Sequence, residues 1–415
     1  MNQEHARTAV SKRIFEGIKV LDLTRVLAGP WCTQALADMG AEVYKIERPG
    51  VGDEMRHSPP FLKDAQGHAT KDTPSYFCVN RGKRSLTIDI TQAQGQKLLL
   101  DLASRCDVLA ENFKVGDLKR YGLDYESVRK VNPSIVYCSI TGYGQDGPLA
   151  ALPGYDPVMQ AISGIMSTCG VPDGQEGAGP MRSMVPLVDI MTGMVATTAI
   201  VAALFHRQRT GEGQRIDTAL LDVAMAATNH MGQNFLSTGK QPQRAGNGSQ
   251  LFAPSNCFPC ADGAILIQIG NDGQWVRLCE TLGQQAWLTD ERFKTNRDRM
   301  QHRDELNAAL AAITQAWPKQ KLADVLSEQS VPCGPVNDLA AAFENPQVRH
   351  RNIRAMVEHP AHGSIPLLHS PFRFSETPVE HRAPPQLGAD TEAVLREQLG
   401  LTDADLAQLR ASSVV

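Results

Sequence analysis

Apolar and polar positions fall in alternating blocks along the first 140 residues, in the manner of strands separated by helices. From Gly17, "GIKVLDLTRVLAGPWCTQALADMGAEVYKIERPG" reads as an apolar strand, a turn of small residues, a helical stretch closed by Gly40, and a second apolar strand. That succession is a βαβ unit. Strand signals recur at "SLTIDI" and "SIVYCSI", and helical periodicity at "QAQGQKLLLDLASRC" and "YESVRKVN". The alternation predicts an α/β fold with an open, mostly parallel sheet. A later apolar run, Ile190 to Phe205, has 16 residues, short of the ~20 a bilayer crossing needs, and reads as a buried helix.

After "TGEGQRIDTALLDVAMAATNHM" the pattern gives way to polar, Gly-rich "STGKQPQRAGNGSQ", a linker or loop near a domain boundary. A hairpin-like "NCFPCADGAILIQIG" and helical patterns rich in Arg, Asp and Gln then predict a smaller α+β domain. Pro-rich "SIPLLHSPFRFSETPVEHRAPPQLGAD" and a final helical segment follow.

Composition narrows the function classes. At 415 residues the chain needs two or three cores, and 42% apolar with 21% charged residues excludes disorder and fibrous repeats. A net charge of −4 leaves no electrostatic footprint for nucleic acid or an anionic membrane, so neither is expected as a partner. Nine scattered cysteines, an odd number, point to free thiols and a reducing cytoplasm. "MNQEHARTAVSKRIFEG" lacks the apolar stretch of a secretory signal.

Candidate chemistry is sparse. "AGPW", Ala28 to Trp31, stands at a strand-to-helix turn, where free N–H groups attract an anion, but on spacing alone a plain turn is the better reading. The absence of G-x-G-x-x-G there argues against a nicotinamide dehydrogenase. Arg48, the Arg81, Lys83 and Arg84 group, and Lys114, Lys119 and Arg120 form a set able to hold phosphates, or else solvated faces. Cys257 and Cys260 make a lone C-x-x-C without further ligands, hence two buried thiols rather than a metal site. No histidine lies between His68 and His206, which disfavours histidine-based catalysis or metal ligation in that stretch. Asp156 and Asp189 each read as helix caps. Asp189, however, is the only carboxylate between Glu176 and Glu212, and its flanks "MVPLV" and "IMTGMV" are apolar. A carboxylate acting as a covalent nucleophile needs that environment.

Taken together, "NRGKRSLTIDI", "ENFKVGDLKRYGL", "NPSIVYCSITGYGQDGP", "GYDPVMQAISG", "LVDIMTGM", "HRQRTGEGQRIDTALLD", "NDGQWVRLCE", "RFKTNRDRMQHRDELNAAL", "VPCGPVNDLAAAFENPQV" and "LGADTEAVLREQLGL", with the first βαβ segment, resemble the class III CoA transferases over nearly the whole chain. The resemblance implies a large Rossmann-like domain built from both chain ends and a smaller α+β domain, in an interlocked homodimer. On that basis 1–225 is the large domain, 226–330 the small one, and 331–415 a segment returning to the large one. It implies Asp189 as nucleophile, attacking an acyl-CoA to give an aspartyl anhydride and then an aspartyl-CoA thioester. Val26, Leu27 and Ala28 lie beside the nucleotide and pantetheine by the same likeness, and Arg48 and Arg120 match phosphate or adenine contacts. Ile88, Asn112, Phe113, Lys114 and Tyr155 match the lining of the CoA channel, and Asp156 an acidic active-site position.

Coenzyme A thioesters and carboxylic acids are then the substrates, with no tightly bound cofactor and no metal. A member using oxalate has glutamine at the position of Leu27 and a glycine run where this chain has "GNGSQ"; those departures argue against oxalate or formyl substrates. "VPCGPVNDL" and "NDGQWVRLC" look more like members using succinyl-CoA with a longer dicarboxylate. "RAGNGS", Arg244 to Ser249, is a candidate oxyanion loop, and Arg182 a candidate partner for the acceptor's distal carboxylate. Two alternatives stay open. A 2-methylacyl-CoA racemase of the same superfamily would need a histidine upstream of Asp156, which is missing, and a non-catalytic acyl-CoA-binding protein would use Asp189 as a cap.

Overall fold

A computed structural model describes residues 13–64 and 66–415. Most of the N-terminal stretch that bears on a leader, residues 1–12, lies outside the described residues. Strands are numbered along the chain as β1 (Lys19–Asp22), β2 (Glu42–Glu47), β3 (Arg84–Thr87), β4 (Val108–Glu111), β5 (Val136–Thr141), β6 (Gly170–Val171), β7 (Gly179–Pro180), β8 (Gln214–Ala219), β9 (Ser255–Cys260), β10 (Gly263–Gln268), β11 (Cys333–Pro335), β12 (Arg354–His359) and β13 (Gly363–Leu368).

Six of them form one sheet in the order β3-β2-β1-β4-β5-β8, with every neighbouring pair parallel. Parallel strands need covering on both faces, and β4 and β5 are accordingly buried along their whole length. On one face Leu98, Leu99 and Leu102 of helix Ala93–Ala103 and Val394, Leu395, Leu406 and Leu409 of the two C-terminal helices pack against Leu21, Leu109 and Tyr137. On the other, Cys32 and Leu36 of helix Ala28–Asp38 and Ala196 and Ile200 of helix Leu187–Thr210 pack against Val20, Val43, Val108 and Cys138. Each such large apolar side chain contributes about 1.5–3 kcal/mol on burial.

The strand order reverses between β1 and β4. From β1 the chain steps outward through β2 and β3, then returns beside β1 and steps the other way. The crevice beyond the carboxyl ends of β1 and β4 is therefore a topological switch point, where open α/β sheets bind ligands.

The chain forms two compact units. The larger comprises the described residues through Ile165, Ser183–Gly239 and Arg351–Val415; the smaller comprises Met166–Arg182 and Lys240–His350. The smaller unit carries the antiparallel sheet β11-β10-β9, on which Trp275, Leu278, Leu306, Leu310, Leu322 and Leu326 form a core. Its limits differ from 226–330. Helix Asn229–Thr238 continues from helix Leu220–Ala227 and stays in the larger unit, whereas β11 must pair with β10 before the chain can leave, so the return begins at Arg351.

Three further expectations meet a different outcome. The apolar run is part of a 24-residue helix, Leu187–Thr210, long and apolar enough by length and composition to cross a membrane; its buried side lies against helix Ala28–Asp38 and the sheet. Strands β4 and β8 were not expected: each is short or partly charged, β4 ending in Glu111 and β8 opening on Gln214 and Arg215. Cys257 and Cys260, in β9, are half-buried rather than buried; all nine cysteines are unpaired.

Candidate active site

The loops that leave β1 and β4 at the switch point are Leu23–Leu27 and Asn112–Lys114, and a cleft opens between them. It measures about 180 Å³ and is lined by Val26, Leu27, Ala28, Asn112, Phe113, Lys114, Tyr155 and Asp189, among others. A second cleft, about 430 Å³, is lined by Arg48, Ile88, Phe113 and Arg120; Arg25, Glu54 and Phe113 belong to both. Eleven of the twelve residues singled out from the sequence thus line two adjoining clefts, and their order follows from topology. Arg48 follows β2, Ile88 follows β3 and Asn112 follows β4, all at carboxyl ends.

Asp156, the twelfth, is buried beneath the surface rather than lining it. Its Oδ2 accepts the N–H groups of Val188 (2.7 Å) and Asp189 (3.2 Å), and Gln160 Nε2 donates to its Oδ1 at 2.6 Å. Asp156 therefore caps the helix that carries Asp189, satisfying N–H groups that a helix start leaves unpaired. The loop that delivers it is pressed onto the end of β5: a Cβ on Gly154 would stand 2.3 Å from Gly142 Cα, so only glycine fits.

Asp189 makes no cap. Among the described residues no donor reaches its carboxylate, which lies half-buried at the cleft wall. Burial, and secondarily the charge of Asp156, push its pKa from 3.8 up to about 7. The helix is held close to its neighbour by Gly193, where a Cβ would meet Ala28 O at 2.8 Å. Asp189 is thereby set near the first turn of helix Ala28–Asp38, whose leading N–H groups have no intrahelical partner.

The turn before that helix is strained. Val26, a β-branched residue, has φ +68°, a conformation costing about 1–3 kcal/mol. Around it lies a buried charge network. Lys83 Nζ donates to Asp22 Oδ2 (3.0 Å), Lys45 Nζ to Asp53 Oδ2 (2.9 Å), and Arg56 to Glu47 (2.8 Å). Burial works against both ions, but Asp53, Asp22 and Glu47 hold Lys45 in its charged form and Lys83 and Lys45 hold Asp22 in its own. None of these residues was singled out from the sequence for this site except Lys83, and that for phosphate. The available signal was Lys45, a charge set between Tyr44 and Ile46 inside the strand "EVYKIE".

The basic set resolves unevenly. Arg81 pairs with Asp38, Lys83 with Asp22, and Arg84 with Glu42, Asp390 and Glu397, so none of the three is available to a phosphate. Arg120 is exposed and pairs with Asp117; Arg48 is exposed at the rim of the larger cleft. The Arg244–Ser249 loop belongs to the smaller unit, where it lines a cleft of about 260 Å³ with Gln175, Asn256 and Arg303. Two of its N–H groups, Gly246 and Gly248, already donate to Gly170 O and Ala245 O, and Arg244 is held by Val171 O and Asp173. Those groups are not oxyanion donors. Arg182, exposed, also belongs to the smaller unit.

The doubly wound sheet thus opens at its switch point, where α/β folds of this class bind ligands, onto a cleft that carries the desolvated carboxylate of Asp189. Residues 15–391 match CoA-transferase family III, and the chain belongs to that family. It is 44% identical over 383 residues to a succinate–glutarate CoA-transferase of Agrobacterium fabrum, covering 92% of this chain and 94% of that protein. It is 38% identical over 402 residues to the human succinyl-CoA:glutarate CoA-transferase, covering 96% and 89%. The crystal structure of a CaiB/BaiF family protein from Brucella suis superposes with a TM-score of 0.84 at 39% identity, covering 94% of this chain and all of that one. Both the family and the likeness to succinyl-CoA and dicarboxylate users agree with the reading of the sequence.

Proposed function

We propose that the protein moves CoA from succinyl-CoA to a free dicarboxylic acid by covalent catalysis on Asp189. The observation that carries this is a carboxylate without a hydrogen-bond donor, desolvated and facing a cleft at the switch point. A carboxylate that water and N–H donors do not stabilise is a better nucleophile. An Asp189 oxygen attacks the thioester carbon, and the tetrahedral oxyanion collapses to release CoA thiolate and leave an acyl-aspartyl anhydride. The thiolate then attacks Asp189 Cγ, releasing succinate and leaving an aspartyl-CoA thioester. The acceptor carboxylate attacks the same Cγ and expels thiolate, which takes the acceptor acyl group and frees Asp189. One activated carboxyl replaces another at each step, so no ATP is consumed. The unpaired N–H groups at the start of helix Ala28–Asp38 serve as oxyanion donors, and Arg48 and Arg120, at the larger cleft, hold the phosphate end of CoA.

The relatives named for succinate and glutarate favour a five-carbon or similar dicarboxylate as acceptor. Unpaired thiols support a cytoplasmic setting, and the exposed apolar side chains of helix Leu187–Thr210 support a homodimer. The test is incubation in D2O with succinyl-CoA and a panel of free acids including glutarate, itaconate, malate and oxalate, alongside a chiral 2-methylacyl-CoA, with thioesters followed by mass spectrometry. New acyl-CoA species that vanish in Asp189→Ala are expected. Deuterium gained at the α-carbon without transfer would make the protein a racemase instead.

A further inference from the structure

Residue 26 is valine, a side chain that takes a positive φ only when its surroundings impose it. The imposing groups are few. Asp53 accepts the Val26 N–H through both carboxylate oxygens (3.2 and 3.3 Å), the Met55 N–H at 2.9 Å, and Lys45 Nζ at 2.9 Å. Lys45 Nζ also donates to Thr24 O at 2.9 Å. Asn112 brackets the residue between them, accepting from Arg25 N at 2.8 Å and donating to Arg25 O at 2.7 Å. Lys45 and Asp53 side chains are 0% exposed.

We infer that Asp53, paired with Lys45, is a positioning residue for the acyl-CoA substrate: acting through Val26, it pins the left-handed turn that walls the cleft of Asp189. The inference rests on the acyl-CoA reading of that cleft. A fully buried ion pair gains little stability over apolar residues of the same size, so stability alone does not account for this one. What an apolar pair would not do is hold three backbone groups, Thr24 C=O, Val26 N–H and Met55 N–H, in fixed places. Lys45 and Asp53 also line the larger cleft with Arg48 and Arg120, so a single pair shapes the walls of both.

Lys45→Met with Asp53→Leu removes both charges together and leaves neither buried alone. In its crystal structure Val26 is expected to leave the left-handed region, and the acyl-CoA KM to rise about tenfold with kcat little changed, the pattern of lost uniform binding. Adding Val26→Gly, which reaches positive φ without strain, is expected to bring KM back to within about threefold of the starting protein. An ion pair that served folding alone would not respond to that third change. If the double variant does not fold, Asp53→Glu, which keeps the charge and displaces the carboxylate, carries the same expectations. Val26 remaining at positive φ in the folded variant, or a raised KM that Val26→Gly does not lower, overturns the inference. Absence of thioester exchange in the unmodified protein would sink the transferase instead, while Val26 φ in the variant still decides this point.

Discussion

Asp189 carries a conflict that its surroundings do not relieve. Its pKa of about 7 arises from burial first and from Asp156 second, so at neutral pH the carboxylate is only partly ionised. Under the proposed mechanism Asp189 must be ionised to attack, and kcat is therefore expected to climb with pH through an acidic limb near 7 and to level off above it. Asp156→Asn removes the neighbouring charge while leaving an oxygen able to cap Val188. The limb should move to lower pH without vanishing, because burial, the larger cause, remains; a pH–rate profile that does not move would remove Asp156 as an electrostatic neighbour. Stability responds with the opposite sign. A carboxyl whose pKa is raised from 3.8 on folding stabilises the folded state below about pH 4, and that contribution is lost as pH rises through about 7. Asp189→Asn is thus expected to be inactive yet more stable than the unmodified protein by about 1–3 kcal/mol at pH 8, with the gain shrinking toward pH 4 in urea titrations.

Between elements, the close approach of helices Ala28–Asp38 and Leu187–Thr210 sets the distance from Asp189 to the Val26–Ala28 wall. Gly193→Ala places a Cβ 2.8 Å from the Ala28 carbonyl oxygen, a backbone atom that cannot swing aside. We expect a loss of about 1–3 kcal/mol in stability and a fall in kcat/KM; an unchanged kcat/KM would show that the wall is not set by this contact. Legibility from sequence divides along the same line. The first βαβ unit and β5 announced themselves through apolar runs and Gly punctuation, and the open, mostly parallel α/β sheet followed. Strand β4 did not, because four residues ending in Glu111 carry no period; yet β4 supplies one side of the switch point. Asp189 stood out as a charge in an apolar run. Asp53 and Lys45 did not, because a buried pair looks like any surface pair until the fold closes over it, and the NRGKR cations misled for the same reason.

At the scale of the whole molecule, the larger unit leaves apolar surface uncovered. Only eight of the 24 residues of helix Leu187–Thr210 are buried, and Leu187, Met194, Val195 and Phe205 are exposed. Val158 and Ile162, Met225, and Phe235 and Leu236 are exposed on the three helices Asp156–Ile162, Leu220–Ala227 and Asn229–Thr238 that pack with it in series. Apolar exposure on this scale marks an interface. The helix is apolar enough for a bilayer, but its other side already serves the core against Val20, Val43 and Val108, so lipid on all sides would dismantle the sheet that positions Asp189. A second copy of the chain, as proposed above, would cover the outer side without touching the inner one. Light scattering is therefore expected to give twice the chain mass, and Val195→Asp with Phe205→Asp, both outside the chain's own core, to lower it toward one. A monomeric unmodified protein, or one that sediments with phospholipid vesicles, would refute the dimer.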